Sequence, residues 1–191
     1  MTNSIYITTT EPYSGKSLVS LGITELLLRR SPNIGVFRPV IEAPPARQRD
    51  KNIDLLLTHY DLKIDYQDTY AYYRREVADL IAEGRYDEIL DRIIEKYKAL
   101  ESQCDFVLCI GSDFEGSATM EFDYNADIAR NLGSPVLIVT SAKDQTIEDV
   151  VNEVKFAHEG FEEHGCQILG TIVNRTDAEI MYDLQEALED E

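Results

Sequence analysis

The chain has 191 residues, and its 36 acidic residues against 18 basic residues leave a formal net charge of −18. This length suits one domain, and 43% hydrophobic residues supply a core, which excludes a wholly disordered acidic tail. The negative field repels phosphate backbones and anionic lipids, so we expect no nucleic-acid partner and no membrane partner. No secretory signal or membrane-spanning run is evident, so we expect a cytoplasmic protein.

Short apolar runs rich in Ile and Val predict strands that are buried on both faces. They are Ser4–Thr9, Gly35–Val40, Asp105–Ile110, Pro135–Thr140 and Ile168–Asn174. Segments with helical periodicity lie between them, namely Ser17–Arg30, Tyr86–Leu100, Asp123–Leu132 and Ile147–His164. In the first of these, Leu18, Leu21 and Leu27 lie near one face, which predicts the buried side of that helix. The alternation predicts an α/β fold, with a mainly parallel sheet and helices on both of its faces.

Two segments stand outside this alternation. Glu42–Asp50 contains a Pro-Pro pair and several charges, which predicts an exposed loop after the second strand. Asp177–Glu191 carries seven acidic residues and no basic residue, yet Leu184 and Leu188 are spaced as on one face of a helix. We therefore expect one domain over residues 1–176, followed by an acidic helix that leads toward further domains.

The strongest motif, TTTEPYSGKS, begins within the first predicted strand. A strand, a loop ending in Gly-Lys-Ser and then a helix are the context of a P-loop. Gly15 and the helix-start amides would face a phosphate, Lys16 would reach its oxygens, and the Ser17 hydroxyl would bind Mg²⁺. Thr10 stands where the first glycine is usual (Thr9 at a spacing one residue longer), although a β-branched residue rarely adopts glycine conformations. The motif predicts phosphate or nucleotide binding with weak ATP hydrolysis; the alternative is a turn that binds nothing.

Three further candidates follow predicted strands, where open parallel sheets bind ligands. Arg38, in VFRPV, could clamp a carboxylate or phosphate, or could pair with Asp50 or Glu42. Asp113, in GSDFEG, could hold Mg²⁺ through water, or could belong to a polar turn without a ligand. Asn174, in TIVNR, could recognise a purine edge with its amide, or could be an ordinary turn residue.

Together these segments resemble the dethiobiotin-synthetase-like P-loop group of proteins. The resemblance is carried by TTTEPYSGKS, VFRPV, DFVLCIGSDF, ARNLGSPVLIV and GTIVNR. It implies that Lys16 and Ser17 are the phosphate and Mg²⁺ ligands of the loop. Arg38 replaces a lysine of the group, and Asn174 matches its base-recognising asparagine. Ile110 stands where the group has a Mg²⁺-binding glutamate, which implies a weakened metal site.

Within that group the chain is most similar to the N-terminal domain of the long-form bacterial phosphate acetyltransferases, from about Ile5 to Arg175. The segments that most resemble that domain are SGKSLVSLGITELLLRR, YRREVADLIAEGRYDEILDRIIEKYKAL and FDYNADIARNLGSPVLIV. In that family a second regulatory domain and a transferase domain follow, and the last joins phosphate to acetyl-CoA to form acetyl phosphate and CoA.

The resemblance implies a regulatory and structural domain that is not itself catalytic. Its implied ligands are a metabolite anion or a nucleotide (ATP, ADP or NADH) with Mg²⁺, and its implied partner is a further copy within a homo-oligomeric enzyme. Two alternatives stay open. One is a stand-alone ATP-dependent ligase that phosphorylates a carboxylate or carbamate, and the other is an interaction domain with a vestigial P-loop.

Overall fold

The computed structural model describes residues 3–42, 48–112 and 118–189, except for the side chains of residues 118–121. Within these ranges strands and helices alternate along the chain. The strands are β1 Ser4–Thr9, β2 Ile34–Ile41, β3 Tyr70–Tyr73, β4 Phe106–Ile110, β5 Val136–Ser141 and β6 Ile168–Asn174. The helices are α1 Lys16–Leu28, α2 Lys51–His59, α3 Arg74–Ala82, α4 Tyr86–Glu101, α5 Ala118–Leu132, α6 Ile147–Glu163 and α7 Met181–Glu189.

The strands form one parallel sheet in the order β3-β2-β4-β1-β5-β6, which confirms the predicted α/β fold. In its middle, Ile7 of β1 lies opposite Ile110 of β4 and Leu137 of β5. The sequence pattern missed α2, α3 and the edge strand β3. Since β3 has four residues and runs directly into α3, it is too short to show a period.

Alternate strand residues bury on opposite faces of the sheet, because successive side chains of a strand point to opposite sides. On one face, Ile7 and Leu108 belong to a cluster with residues of α1 and α2. On the other face, Tyr6 and Phe37 pack with residues of α4, α5 and α6, including Tyr97. Fully burying such side chains stabilises the fold by about 1.5–3 kcal/mol each. Because helices cover both faces of the sheet, both alternating sets of positions in the central strands are mostly apolar, which explains the continuous apolar runs.

Helix α1 is rotated relative to the prediction. Its buried residues are Lys16, Ser20 and Thr24, spaced four apart, whereas Leu18 is 67% exposed. The prediction of Leu18 on the buried side is therefore wrong, while Leu21 does pack against the sheet. The Thr24 hydroxyl donates to the Ser20 carbonyl oxygen at 2.7 Å, so this polar group is satisfied inside the helix.

The last helix, α7, begins at Met181 and packs against α6. Leu184 is buried in a cluster with Ala142, Val150 and Val154. The acidic helix therefore shares a packed interface with the preceding elements, while the division of the chain at residue 176 stays a prediction. Across the described ranges, no helix combines the length and apolar composition that a bilayer span requires.

Candidate phosphate-binding site

The loop after β1 lies where the chain connections of the sheet change direction. The connection from β1 leads across β4 to β2, whereas the connection from β4 leads across β1 to β5. A ligand crevice forms at the carboxyl ends of the strands on either side of such a switch point. Here the two strands are β1 and β4, and the P-loop follows the first of them.

Lys16 spans the gap between these two strands. Its Nζ donates to the Gly111 carbonyl oxygen at 2.7 Å, and the residue is only 7% exposed. Gly111 is tightly enclosed, because an added Cβ would lie 2.7 Å from Asn125 Oδ1 and 3.0 Å from the Ile7 carbonyl oxygen. The P-loop lysine is thus held at the tip of β4, beside the position of the glutamate that the resemblance would require.

That position, Ile110, is part of the core. Its side chain is 1% exposed and packs in the cluster between the sheet, α1 and α2. The sequence comparison therefore identified a real chemical difference, since an apolar side chain in this place supplies no oxygen for a cation. The other metal candidate, Asp113, lies outside the described residues.

The loop turns through left-handed backbone conformations at Tyr13 (φ 65°) and Gly15 (φ 99°). Gly15 caps α1, and its carbonyl oxygen accepts from the N–H groups of Leu18 and Val19 at 3.0 and 3.1 Å. A Cβ at Gly15 would overlap the side-chain nitrogen of Asn174, which approaches the loop from the end of β6. Gly15 is consequently favoured by its φ angle, and an added Cβ would also displace the Asn174 amide.

Asn174 holds the loop by its backbone. Its Nδ2 donates to the Ser14 carbonyl oxygen at 3.0 Å, while the Ser14 hydroxyl donates to the Glu11 carbonyl oxygen at 2.6 Å. The structure thus places the Asn174 amide, to which the sequence assigned a purine edge, against the backbone of the P-loop; recognition of a purine stays a prediction.

Thr10 does not take part in the turn. Its N–H donates to the Val139 carbonyl oxygen at 3.3 Å, which continues the β1–β5 ladder by one residue. Its hydroxyl donates to Thr140 Oγ1 at 3.0 Å. The missing first glycine is therefore explained locally, since the left-handed positions of this loop come later, at Tyr13 and Gly15.

Ser17 and Arg38 are connected through the start of α2. The Ser17 hydroxyl donates to Asn52 Oδ1 at 2.7 Å. Asp50 caps the same helix by accepting from the N–H groups of Asn52 and Ile53, both at 3.0 Å. Its second oxygen accepts from Arg38 Nη1 at 2.8 Å in a buried ion pair. Of the two readings of Arg38, pairing with Asp50 is the one that the structure contains.

Asn52 was missed by sequence analysis, because no periodic signal revealed α2. Together Ser17 and Asn52 present a hydroxyl and an amide oxygen, which are hard ligands of the type that Mg²⁺ accepts. Elsewhere within the described ranges, no three His, Cys, Asp or Glu side chains come together as a metal site would require.

An acidic side chain lies at the mouth of the loop. Partial burial and the nearby Glu153 carboxylate raise the pKa of Glu11, and Arg175 opposes this effect.

Arg175 and Asp144, like Tyr13, have left-handed backbones, at φ 56° and 60°. Tyr13 follows β1, Asp144 follows β5 and Arg175 follows β6. Left-handed backbone conformations are thus concentrated where these strands end.

Comparison with known proteins agrees with this geometry. The family model described as an AAA domain matches residues 3–190. A phosphate acetyltransferase of Synechocystis sp. is 40% identical over 99% of this chain and 27% of its own length. The corresponding enzyme of Nitratidesulfovibrio vulgaris is 42% identical over 92% of this chain and 25% of its own length. The chain thus spans about a quarter of these relatives.

Other relatives and solved structures extend the comparison. An ATP-dependent dethiobiotin synthetase of Sulfurovum sp. is 27% identical over 78% of this chain and 73% of its own length. The BceF tyrosine kinase domain superposes with a TM-score of 0.58, at 16% identity, over 92% of this chain and 69% of its own. A complex of a Cyanothece McdA variant with ATP gives 0.56, at 12% identity, over 99% and 78%. The P-loop NTPase-like fold and the resemblance to phosphate acetyltransferases are both confirmed.

Proposed function

The chain belongs to the AAA domain family, and from this premise we propose that it is the N-terminal regulatory and structural domain of a phosphate acetyltransferase. In this proposal the P-loop binds a nucleotide or a metabolite anion, and the domain contributes to self-association of the enzyme. Acetyl transfer between CoA and phosphate belongs to the remaining three quarters of such an enzyme.

One observation carries the proposal: Lys16 is retained at the switch point of the sheet, where it bonds to the carbonyl of Gly111, the residue after the buried Ile110. The lysine and the start of α1 suit an anion, because the positive end of a helix dipole favours negative charge. Without a carboxylate at residue 110, a metal ion would be poorly held, and phosphoryl transfer depends on that ion. Binding without efficient hydrolysis is therefore the function that these residues support best.

The proposed site consists of the residues that border this loop. We assign the anion or nucleotide site to Thr10, Gly15, Lys16, Ser17, Arg38 and Asn174, of which Thr10 and Arg38 act indirectly, and the metal, where one is bound, to Ser17 and Asp113. Arg38 acts through Asp50 and the start of α2, because its guanidinium is committed to that buried pair.

Calorimetric titration with ATP, ADP and NADH, with and without Mg²⁺, tests the proposal. We expect at least one of them to bind, and Lys16→Ala to weaken its affinity about 10- to 100-fold, since a hydrogen bond to a charged group is lost. Lys63→Ala, at an exposed lysine, is the matched control. Absence of heat with all three compounds would contradict anion binding while leaving the family membership intact.

A second candidate is a stand-alone ligase, and the dethiobiotin synthetase of similar length favours it. It predicts ADP release that depends on a diamino or amide substrate, and Ile110 weighs against it. A third candidate, an interaction domain with a vestigial loop, is favoured by the bonds that Lys16 and Asn174 make to backbone. It predicts self-association that no ligand changes.

A further inference from the structure

We propose that Thr140 and Glu153 are positioning residues of the P-loop. Through the hydroxyl of Thr10 they connect this loop to the second turn of α6. The contacts form a continuous relay of hydrogen bonds. The Thr10 hydroxyl donates to Thr140 Oγ1 at 3.0 Å, and the Thr140 hydroxyl donates to Glu153 Oε1 at 3.0 Å. Each threonine hydroxyl can donate one bond and accept others, so the directions along the relay are consistent.

The surroundings favour a defined geometry for this relay. Thr140 is fully buried in β5, while Thr10 and Glu153 are half-buried. Threonine is stiff about its first side-chain torsion, and a hydrogen bond to a carboxylate is stronger than one between neutral groups. A glycine at residue 10, as in an ordinary P-loop, would have no hydroxyl for this contact. The relay thus gives the sequence departure at Thr10 a physical role.

The relay continues into α6 and the loop before it. The second carboxylate oxygen of Glu153 accepts from Gln145 Nε2 at 3.1 Å, which ties this residue to the loop that follows β5. Neighbouring residues on the same helix, Val150 and Val154, pack with Leu184 of α7. A change in the P-loop therefore has a bonded route to α6 and a packed route onward to α7.

Charge also connects Glu153 to the P-loop. Partial burial and the nearby Glu153 carboxylate raise the pKa of Glu11. Two successive residues of the loop are therefore connected to Glu153: Thr10 indirectly, through the hydrogen bonds of Thr140, and Glu11 by charge.

Hydrogen–deuterium exchange tests the relay without any ligand. Thr10→Val keeps the shape of the side chain but removes its hydroxyl, and it should speed exchange in the first two turns of α6, residues 147–154, about three- to tenfold. Thr10→Ser should restore the slow exchange. In the other direction, Glu153→Ala should speed exchange in residues 10–16 by a similar factor.

The controls are Thr9→Val, one residue away, and Glu159→Ala, an exposed glutamate on the same helix. Equal effects of Thr9→Val and Thr10→Val on exchange in residues 147–154 would overturn the coupling. So would unchanged exchange in residues 147–154 of Thr10→Val together with unchanged exchange in residues 10–16 of Glu153→Ala.

A second readout concerns positioning and rests on the proposed function. Titration with ATP should show an affinity about three- to tenfold lower in Thr10→Val and Thr140→Val, which remove relay hydroxyls without changing the charge near the loop, and no change in Glu159→Ala. ATP binding that is unchanged in both relay variants would overturn the positioning role. If the wild-type chain binds no ATP, the proposed function fails, and the exchange experiment alone decides the relay.

Discussion

Single residues of the P-loop are held by contacts to backbone oxygens. Lys16 donates to the carbonyl of Gly111, and Asn174 donates to the carbonyl of Ser14. A ligand that uses either side chain has to replace such a bond, so its net gain is smaller than that of the new contact alone. The acidic side chains also oppose the binding of an anion, because Glu11 lies in the loop close to Glu153.

Replacement of Glu11 by Gln should stabilise the protein at neutral pH. Because the pKa of Glu11 is raised in the folded state, the proton binds more tightly there than in the unfolded chain. The stability that this contributes is complete below the ordinary glutamate pKa of about 4.3 and is lost as the pH rises through the higher folded value. The free energy of unfolding, measured in urea, should therefore be higher for Glu11→Gln at pH 7, with a difference that vanishes toward pH 4. Glu159→Gln is the control, and a difference that is constant with pH would contradict the interpretation.

At the scale of elements, α1 is shaped by its approach to the sheet. Its buried side consists of the small residues Ser20 and Thr24 below Lys16, which lets the helix lie close to β1 and β4. The glycine that caps this helix and the glycine inside it have opposite surroundings. Gly15 is left-handed and touches Asn174, whereas a Cβ at Gly22 would meet no atom within 4 Å. The same residue type therefore serves a close contact at one position and only weakens the helix at the other.

Alanine substitutions at these two glycines should change stability in opposite directions. Gly15→Ala forces a side chain into the left-handed region and against Asn174, which should lower the free energy of unfolding by about 1–3 kcal/mol. Gly22→Ala should raise it by about 0.5–1 kcal/mol, because alanine is the better helix former. Chemical denaturation of the two variants measures both values. Destabilisation of equal size in both would contradict the predicted difference between the two positions.

At the scale of the whole molecule, the chain is an acidic P-loop domain that spans about a quarter of its phosphate acetyltransferase relatives. Its charge of −18 surrounds a small site where Lys16 and a helix N-terminus favour an anion. Glu11 and Glu153 lie close to this loop, so the acidic charge of the molecule extends to the candidate site itself. A ligand that binds here has to be recognised by short-range contacts, since the long-range field repels anions.

We expect this chain alone to give no exchange between acetyl-CoA and phosphate above background. The proposed function assigns acetyl transfer to other domains, and the sequence has no evident nucleophile–base pair to support it here. The full-length relative from Synechocystis, assayed in the same way, is the positive control. Measurable turnover by the isolated chain would overturn the proposed division of labour.

Much of the central sheet could be predicted from the sequence, because strands buried on both faces are continuous apolar runs. The end residues of β1 and β6 were predicted as the structure has them. The edge strand β3 was missed, since four residues are too few to show a period. The short helices α2 and α3 were missed because their apolar periodicity is hidden among polar residues. Among the candidate site residues, Lys16, Ser17 and Asn174 were proposed from local motifs, whereas Asn52 had no local signal.

By itself the sequence determined the fold class and the position of the P-loop, because both follow from local periodicity and from a motif that is contiguous in the chain. Only the tertiary structure decided what the side chains of that motif contact. Gly111 lies 95 residues from Lys16, Asn174 lies 160 residues from Ser14, and Thr140 lies 130 residues from Thr10. Such contacts depend on the order of strands in the sheet, which brings distant loops to one edge and which no local pattern specifies.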